Sequence, residues 1–367
     1  MKVAFIGQKG IPAVNGGVER HVEFLAKELT VLGHEVIVYN RKNYTPTVLK
    51  EYAGIKLIYK SFIDKKNLAN ITHTFLSTLD VLFRRVDIIH YHGVGPSLLL
   101  WIPKIFAPKA KLVATLHSFD YDNEKWGKFA KLMLHLGEYL MFALADEVIV
   151  ITPATQRYAQ NKYKRESVLI PNGADMTPVS SDNVLKYWNL EKDSYIFSAS
   201  RLIKLKGLQY LIEAYKDLKT DKKLVIAGDG EYESGLRALA DTNKNIIFVG
   251  NQSGDALRQL YTYAHLFVQA SEMEGLSLSL LEAMGHQTAC LASDIIGNQE
   301  ALADTGFYFQ SRNVADLKSK LDYILNHPEE VQLMATAAYE RARREYDWHQ
   351  IAVDTAKTYQ ELLKLTL

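Results

Sequence analysis

The chain opens Met1-Lys-Val-Ala-Phe-Ile-Gly-Gln-Lys-Gly-Ile-Pro-Ala-Val-Asn-Gly-Gly17. Val3–Ile6 is a short apolar run that reads as a buried strand. A glycine-rich loop, Gly7 to Gly17, follows it and leads into a helical pattern from Val18 to Leu32. Gly33 stops that helix, and Glu35–Tyr39 is the next strand. This is a βαβ unit. Further strands read at Lys56–Tyr59, Asp87–His90, Lys111–Leu116 and Glu147–Ile151, with helical stretches between several of them. Such alternation implies a parallel, doubly wound α/β sheet.

The pattern restarts after the polar stretch Met176 to Ser194. Strands read at Tyr195–Ala199, Lys223–Ala227, Asn245–Val249, His265–Gln269 and near Thr288–Ala292, with a helix at Leu208–Leu218. Two doubly wound domains are therefore expected, over 1–175 and 176–348. Each has a ligand crevice at the carboxyl ends of its strands, so the binding site is expected in the cleft between them. The last helical pattern, His349 to Leu365, can pack on either domain by its pattern alone.

A length of 367 residues fits two domains, and 48% hydrophobic with 23% charged residues is the balance of an ordinary globular protein. One cysteine, Cys290, excludes an internal disulfide framework and a cysteine-rich metal site, and fits a reducing compartment. No signal peptide or membrane span is read, and a cytoplasmic location follows as an expectation. The net charge of +1 divides into +7 over residues 1–178 and −6 over 179–367. That asymmetry fits either an anionic partner for the first half, a membrane surface or a phosphate-bearing acceptor, or ordinary surface variation.

The chemistry concentrates at Ser271-Glu-Met-Glu-Gly-Leu-Ser-Leu-Ser-Leu-Leu-Glu-Ala-Met-Gly285. The strand ending near Ala270 breaks at Gly275, and a helix follows Ser277. Glu274 then sits in a crevice-facing turn, and Glu282 looks back from the helix. The helix N-terminus offers free N–H groups to an anion. Two carboxylates beside an anion site suit a ligand with hydroxyls as well as phosphates. Arg201 and Lys206 flank one loop after Tyr195–Ala199 and can reach a single diphosphate, one as a planar fork and the other as a mobile point charge; Lys204 reads as solvated.

The glycines at 16 and 17 allow a ligand to approach the backbone, and the strict G-x-G-x-x-G pattern of NAD and FAD sites is absent. His117 ends a strand and can donate to a sugar hydroxyl, or be a capped core histidine. His90, His92 and His117 invite a metal reading, which is set aside because no carboxylate stands at ligand spacing. Pro171-Asn-Gly-Ala-Asp175 is a turn whose Asn172 can meet ligand. Gly228-Asp-Gly230 is a turn that lets a nucleotide approach.

Together these residues resemble glycosyltransferase family 4, retaining nucleotide-sugar transferases of the GT-B fold. The resemblance rests on Gly16-Gly-Val-Glu-Arg20, the Thr-Leu-His ending at His117, Pro171-Asn-Gly173, Arg201 with Lys206-Gly207, Gly228-Asp-Gly230, and the E-x7-E pair Glu274 and Glu282. A weaker likeness runs to bacterial transferases that build cell-surface polysaccharide. The resemblance implies that the Gly17 backbone, Arg201 and Lys206 hold the donor diphosphate. Glu282 would bind the ribose, and Glu274 with Gly275, Leu276 and Ser277 the donor sugar. His117 would approach that sugar from an acceptor-side first domain, and the second domain would bind the donor. It also implies that the final helix, 349–367, crosses back to the first domain.

The implied reaction is a retaining transfer, with no metal or other cofactor, from a nucleoside-diphosphate sugar to a saccharide or lipid-linked acceptor. UDP-sugars are favoured as donor, with GDP-mannose and dTDP-rhamnose open; no nucleic-acid partner is implied. A nucleotide-sugar 2-epimerase and a non-catalytic nucleotide-sugar binder are the competing readings. Tyr121 to Phe142 mixes Lys125, Trp126, Lys128 and Lys131 with Phe129, Leu132 and Leu136. It reads as a helix packed on its own sheet, the alternative being peripheral contact with an anionic membrane.

Overall fold

The computed structural model describes residues 1–45, 48–65, 68–118 and 127–364. The chain forms two compact units, Met1–Asn172 with Trp348–Leu367, and Gly173–Asp347. Asp175 thus lies in the second unit, where its Oδ2 accepts from Arg258 Nε at 2.8 Å.

The strands of the first unit are β1 (Lys2–Ile6), β2 (Glu35–Arg41), β3 (Glu51–Tyr52), β4 (Ile55–Lys60), β5 (Ile88–His92), β6 (Lys111–Leu116), β7 (Glu147–Val150) and β8 (Val168–Leu169). They form one sheet in the order β3-β4-β2-β1-β5-β6-β7-β8, parallel except for the β3–β4 pair. The central strands are apolar throughout because helices cover both faces of a parallel sheet. Val3 lies between Val36 and Ile88 in register, and all three are buried. The strand order reverses between β1 and β5, so the crevice of this sheet opens beyond Ile6 and His92.

The helix Gly17–Val31 buries His21, Val22, Leu25, Ala26 and Leu29, the i, i+4 spacing of one face. The helix Trp348–Lys364 packs against it. Trp348 stacks on Phe24 with ring centroids 5.4 Å apart, and the Tyr359 hydroxyl lies 2.7 Å from His90 Nδ1. The end of the chain therefore completes the first unit.

The second unit has β9 (Tyr195–Ala199), β10 (Lys223–Ala227), β11 (Ile246–Gly250), β12 (Leu266–Gln269), β13 (Cys290–Ser293) and β14 (Phe307–Phe309). All pair in parallel, in the order β11-β10-β9-β12-β13-β14. Here the order reverses between β9 and β12. Ile196, Leu211, Leu224, Leu291 and Leu321 are among its fully buried core residues. Cys290 is one of them, and burial pushes its thiol well above the usual range, so it is an inert core residue.

One expectation is corrected. The helix Lys128–Leu144 does not bury Phe129, Leu132 and Leu136; they are 75%, 60% and 40% exposed. Its inner face is instead Gly137, Glu138, Met141 and Phe142. A Cβ at Gly137 would overlap the Val94 carbonyl, so the helix approaches its neighbour there and turns its first turns outward. Glu138 is fully buried, with Oε1 accepting from Tyr158 at 2.6 Å, Tyr163 at 2.9 Å and Lys162 at 3.1 Å. Tyr121–Trp126, the first part of that predicted segment, lies outside the described residues.

Candidate functional site

In the second unit two loops leave the strands that flank the reversal, Ser200–Gly207 after β9 and Ala270–Ser277 after β12. Position alone makes their shared edge the ligand crevice of this sheet. The loops are fastened together. Glu272 N donates to Leu205 O at 2.9 Å. Gly207 stands at φ 67°, and a Cβ there would overlap the carbonyl of Ala270. Only glycine satisfies both the left-handed backbone and that close approach.

Lys206 Nζ lies 2.5 Å from Glu274 Oε1. The same oxygen accepts from Gln269 Nε2 at 2.6 Å and from Ser271 Oγ at 2.7 Å. Three donors on one oxygen fix the carboxylate while leaving its second oxygen for other partners. A further clamp holds the loop one residue turn away. Glu272 accepts from Tyr210 at 2.8 Å and pairs with Arg312 at 2.6 Å. Arg201 is exposed and makes no side-chain hydrogen bond or ion pair among the described residues. It is a cation held by its backbone alone, beside a lysine already matched to a carboxylate.

The helix Leu278–Gly285 starts from Ser277, whose side chain does not cap it. Its first N–H groups therefore stay available to an anion. Leu276, Ser277 and Glu282 are buried, while Gly275 is partly exposed. Glu282 is five residues into the helix and 3% exposed, so it lies beneath the turn rather than at its rim.

Gly228 has a structural role in addition to the one expected. At φ 133°, a Cβ would overlap the Ser200 carbonyl, and Leu202 N donates to Asp229 O at 2.7 Å. The space that its missing side chain opens is filled by the carbonyl of Ser200, in the Arg201 loop. The Gly228–Gly230 turn therefore supports the arginine's loop.

The first unit has its own cluster at the ends of β5 and β6. His92 Nδ1 and His117 Nε2 are 3.1 Å apart, and His21 joins them from the helix Gly17–Val31. One nitrogen from each of His21, His92 and His117 lies within 4.8 Å of the others. His21 Nδ1 is 2.9 Å from Asn172 Oδ1, which fixes its ring and commits that oxygen of Asn172. The Nε2 atoms of His21 and His92 are buried with no hydrogen-bond partner. His90 is not part of this group; it is held by Tyr359 and by Thr115, 2.7 Å from each. Burial lowers the pKa of His21 to about 4, against the opposing effect of its bond to Asn172. Burial, then the neighbouring imidazoles, holds His92 and His117 well below the usual histidine range. All three are neutral at pH 7: His21 donates its Nδ1–H to Asn172 and keeps a lone pair on Nε2, while the bond between His92 and His117 leaves that pair one N–H and one lone pair on its outer nitrogens.

Gly16 precedes the helix at φ 99° beside the buried Glu19, whose Oε1 accepts from Lys9 N at 3.0 Å. Gly17 is the first helical residue. The sequence reading did not single out His21, Gln269, Ser271 or the Tyr210–Glu272–Arg312 clamp. His21 carried a readable signal: it occupies the apolar stripe of its helix, at i−4 to Leu25, where a histidine is out of pattern. The clamp carried none, since Tyr210 and Arg312 lie 62 and 40 positions from Glu272 in sequence.

Comparison with known proteins places these features. Residues 15–177 match the family described as Glycosyltransferase Family 4, and residues 182–341 match Glycosyl transferases group 1. An uncharacterized glycosyltransferase of Haemophilus influenzae is 27% identical over 58% of this chain and 59% of its own length. The phosphatidyl-myo-inositol mannosyltransferase of Mycolicibacterium smegmatis is 25% identical over 95% of this chain and 90% of its own. HepE of Anabaena, solved in complex with UDP and glucose, shares the fold at a TM-score of 0.81 and 19% identity, over 98% of this chain and 100% of that one.

Proposed function

The chain belongs to glycosyltransferase family 4 and has the GT-B type of fold, and from that premise we propose that it transfers a sugar, with retention at the anomeric carbon, from a nucleoside-diphosphate sugar to a saccharide or lipid-linked saccharide. The observation that carries this reading is the pairing of Lys206 with Glu274 across the two loops at the reversal of the second sheet. A cation for phosphate and a carboxylate for hydroxyls stand side by side, with Arg201 on the same loop and a helix N-terminus next to them.

The charges suit the chemistry. Cleaving the anomeric bond puts negative charge on the leaving diphosphate and positive character on the sugar ring. Arg201, Lys206 and the N–H groups after Ser277 neutralise the first. These cations take the part a metal ion plays elsewhere, so the proposed reaction needs none. Glu274 binds the sugar hydroxyls and Glu282 the ribose. On the first unit, His117 and His92 have one N–H and one lone pair between them for a sugar hydroxyl, and His21 Nε2 accepts from one, in place of holding a metal. The leaving phosphate assists in deprotonating the acceptor on the front face. The compartment proposed is cytoplasmic, and a UDP-sugar is the favoured donor, in keeping with the UDP and glucose bound by HepE.

Two measurements test this. The first is thermal shift with UDP, GDP and dTDP in parallel. The cognate diphosphate at about 100 times its Kd is expected to add about 2.7 kcal/mol of stability. The second is NMR of the anomeric centre in the product formed from the donor so selected. An inverted centre would falsify the retaining mechanism, and no shift with any diphosphate would remove the donor site itself.

A further inference from the structure

We propose that one face of the first unit docks on an anionic lipid bilayer. Three helices of the first unit build it, Ala69–Val81 and Lys128–Leu144 each packing on Trp101–Phe106. Of the 22 large hydrophobic side chains exposed among the described residues, 11 belong to these helices or to Phe83 just beyond the first. Monomeric proteins scatter such side chains; a concentration of half of them on one layer marks a surface that something covers. On Lys128–Leu144 they form a single stripe, with Phe129 75%, Leu132 60% and Tyr139 58% exposed. Phe83 at 87% and Phe106 at 65% extend it onto the other two helices.

Charge selects the occupant. The acids of the three helices are Asp80 and Glu138. Asp80 is taken by Lys60 at 2.5 Å and Arg84 at 2.6 Å, and Glu138 is fully buried. Lys104 is exposed but matched to Asp146 at 2.6 Å, whereas Lys128 is exposed, Lys131 is partly so, and neither meets an acid among the described residues. Among the described residues the unmatched charges beside the stripe on Lys128–Leu144 are thus its two lysines. A second copy docked about a two-fold axis would set these lysines against lysines. A bilayer with anionic headgroups accepts both the apolar side chains and the lysines, and aromatic residues such as Trp101 and Tyr139 suit its polar boundary. No helix among the described residues is long and apolar enough to cross a membrane, so the contact is peripheral. This inference stands on exposure and charge and does not depend on the transferase reading.

The test is flotation of the full chain with vesicles of phosphatidylcholine, without or with about 30% phosphatidylglycerol, at low and high salt. Binding is expected with the anionic vesicles at low salt. It is expected to fall at least about tenfold in F129S/L132S, and likewise in K128E/K131E, because the two terms act together. All four positions are exposed or partly so, and both variants are expected to keep the wild-type thermal transition and nucleotide shift. Absence of flotation at low salt overturns the proposal, as does binding that neither variant weakens. Concentration-dependent self-association abolished by F129S/L132S also overturns it and assigns the face to a second copy.

Discussion

Lys206, Glu274 and Arg201 show how little of a side chain's role lies in its own identity. Lys206 and Glu274 are matched to each other, while Arg201 makes no side-chain hydrogen bond or ion pair among the described residues. Removing Arg201 therefore disturbs nothing in the fold. Arg201→Ala is expected to leave the melting temperature unchanged and to lower turnover on the order of 10²–10³-fold, the typical loss for one donor to a developing anion. Lys206→Ala is expected to lose a similar factor. Glu274 keeps its bonds to Gln269 and Ser271 in that variant, so the turn survives. Steady-state rates beside thermal melts check both; near-normal turnover in either variant removes that residue from the diphosphate site. These residues were legible in the sequence because each sits at a fixed offset from a strand end or a glycine. The His21 ring and the Arg312 clamp were not, because a contact between distant loops leaves no local pattern.

At the scale of elements, the long apolar strands and the first helix read correctly to within a residue or two. The two-residue strands β3 and β8 are too short to carry a period, and the helices Val314–Leu325 and Pro328–Glu345 went unread. Amphipathic spacing identified the last helix but could not name its partner, because a stripe of small and aromatic residues fits either unit. Tyr359 supplies the missing specificity: its hydroxyl meets the buried His90 of β5. Tyr359→Phe is expected to leave His90 Nδ1 without that partner and to cost about 1–3 kcal/mol, the usual penalty for stranding a buried polar atom. Urea unfolding would measure it. A change within about 0.5 kcal/mol, the range of neutral surface substitutions, would mean that the hydrogen bond adds nothing to the docking of this helix. The same reasoning explains the misread helix Lys128–Leu144. Periodicity identified an apolar stripe, and only the tertiary fit of Gly137 shows that the stripe faces outward.

Across the whole molecule the buried histidines are unevenly divided. His21, His73, His90, His92 and His117 are all buried in the first unit, and burial lowers the pKa of each, His21 and His73 to about 4. In the second unit His265 is lowered too, but its bond to Asp193 opposes the shift. Below pH 6.5 the unfolded chain protonates these imidazoles, whereas the folded first unit resists until about pH 4 at His21 and His73. The unfolded state then binds more protons, so folding stability drops as pH falls through that window. A shift from 6.5 to about 4 is worth roughly 3 kcal/mol for His21 alone once its unfolded form is fully protonated. The first unit is therefore expected to open before the second on acidification. Hydrogen exchange read by mass spectrometry at pH 7.5, 6 and 5, with rates corrected for the intrinsic pH dependence of exchange, would resolve the two units peptide by peptide. Peptides from β1, β5 and β6 are expected to lose protection first, while those from β9 and β12 hold. Parallel loss in both units would mean that carboxylates, not these imidazoles, set the acid limit of the fold.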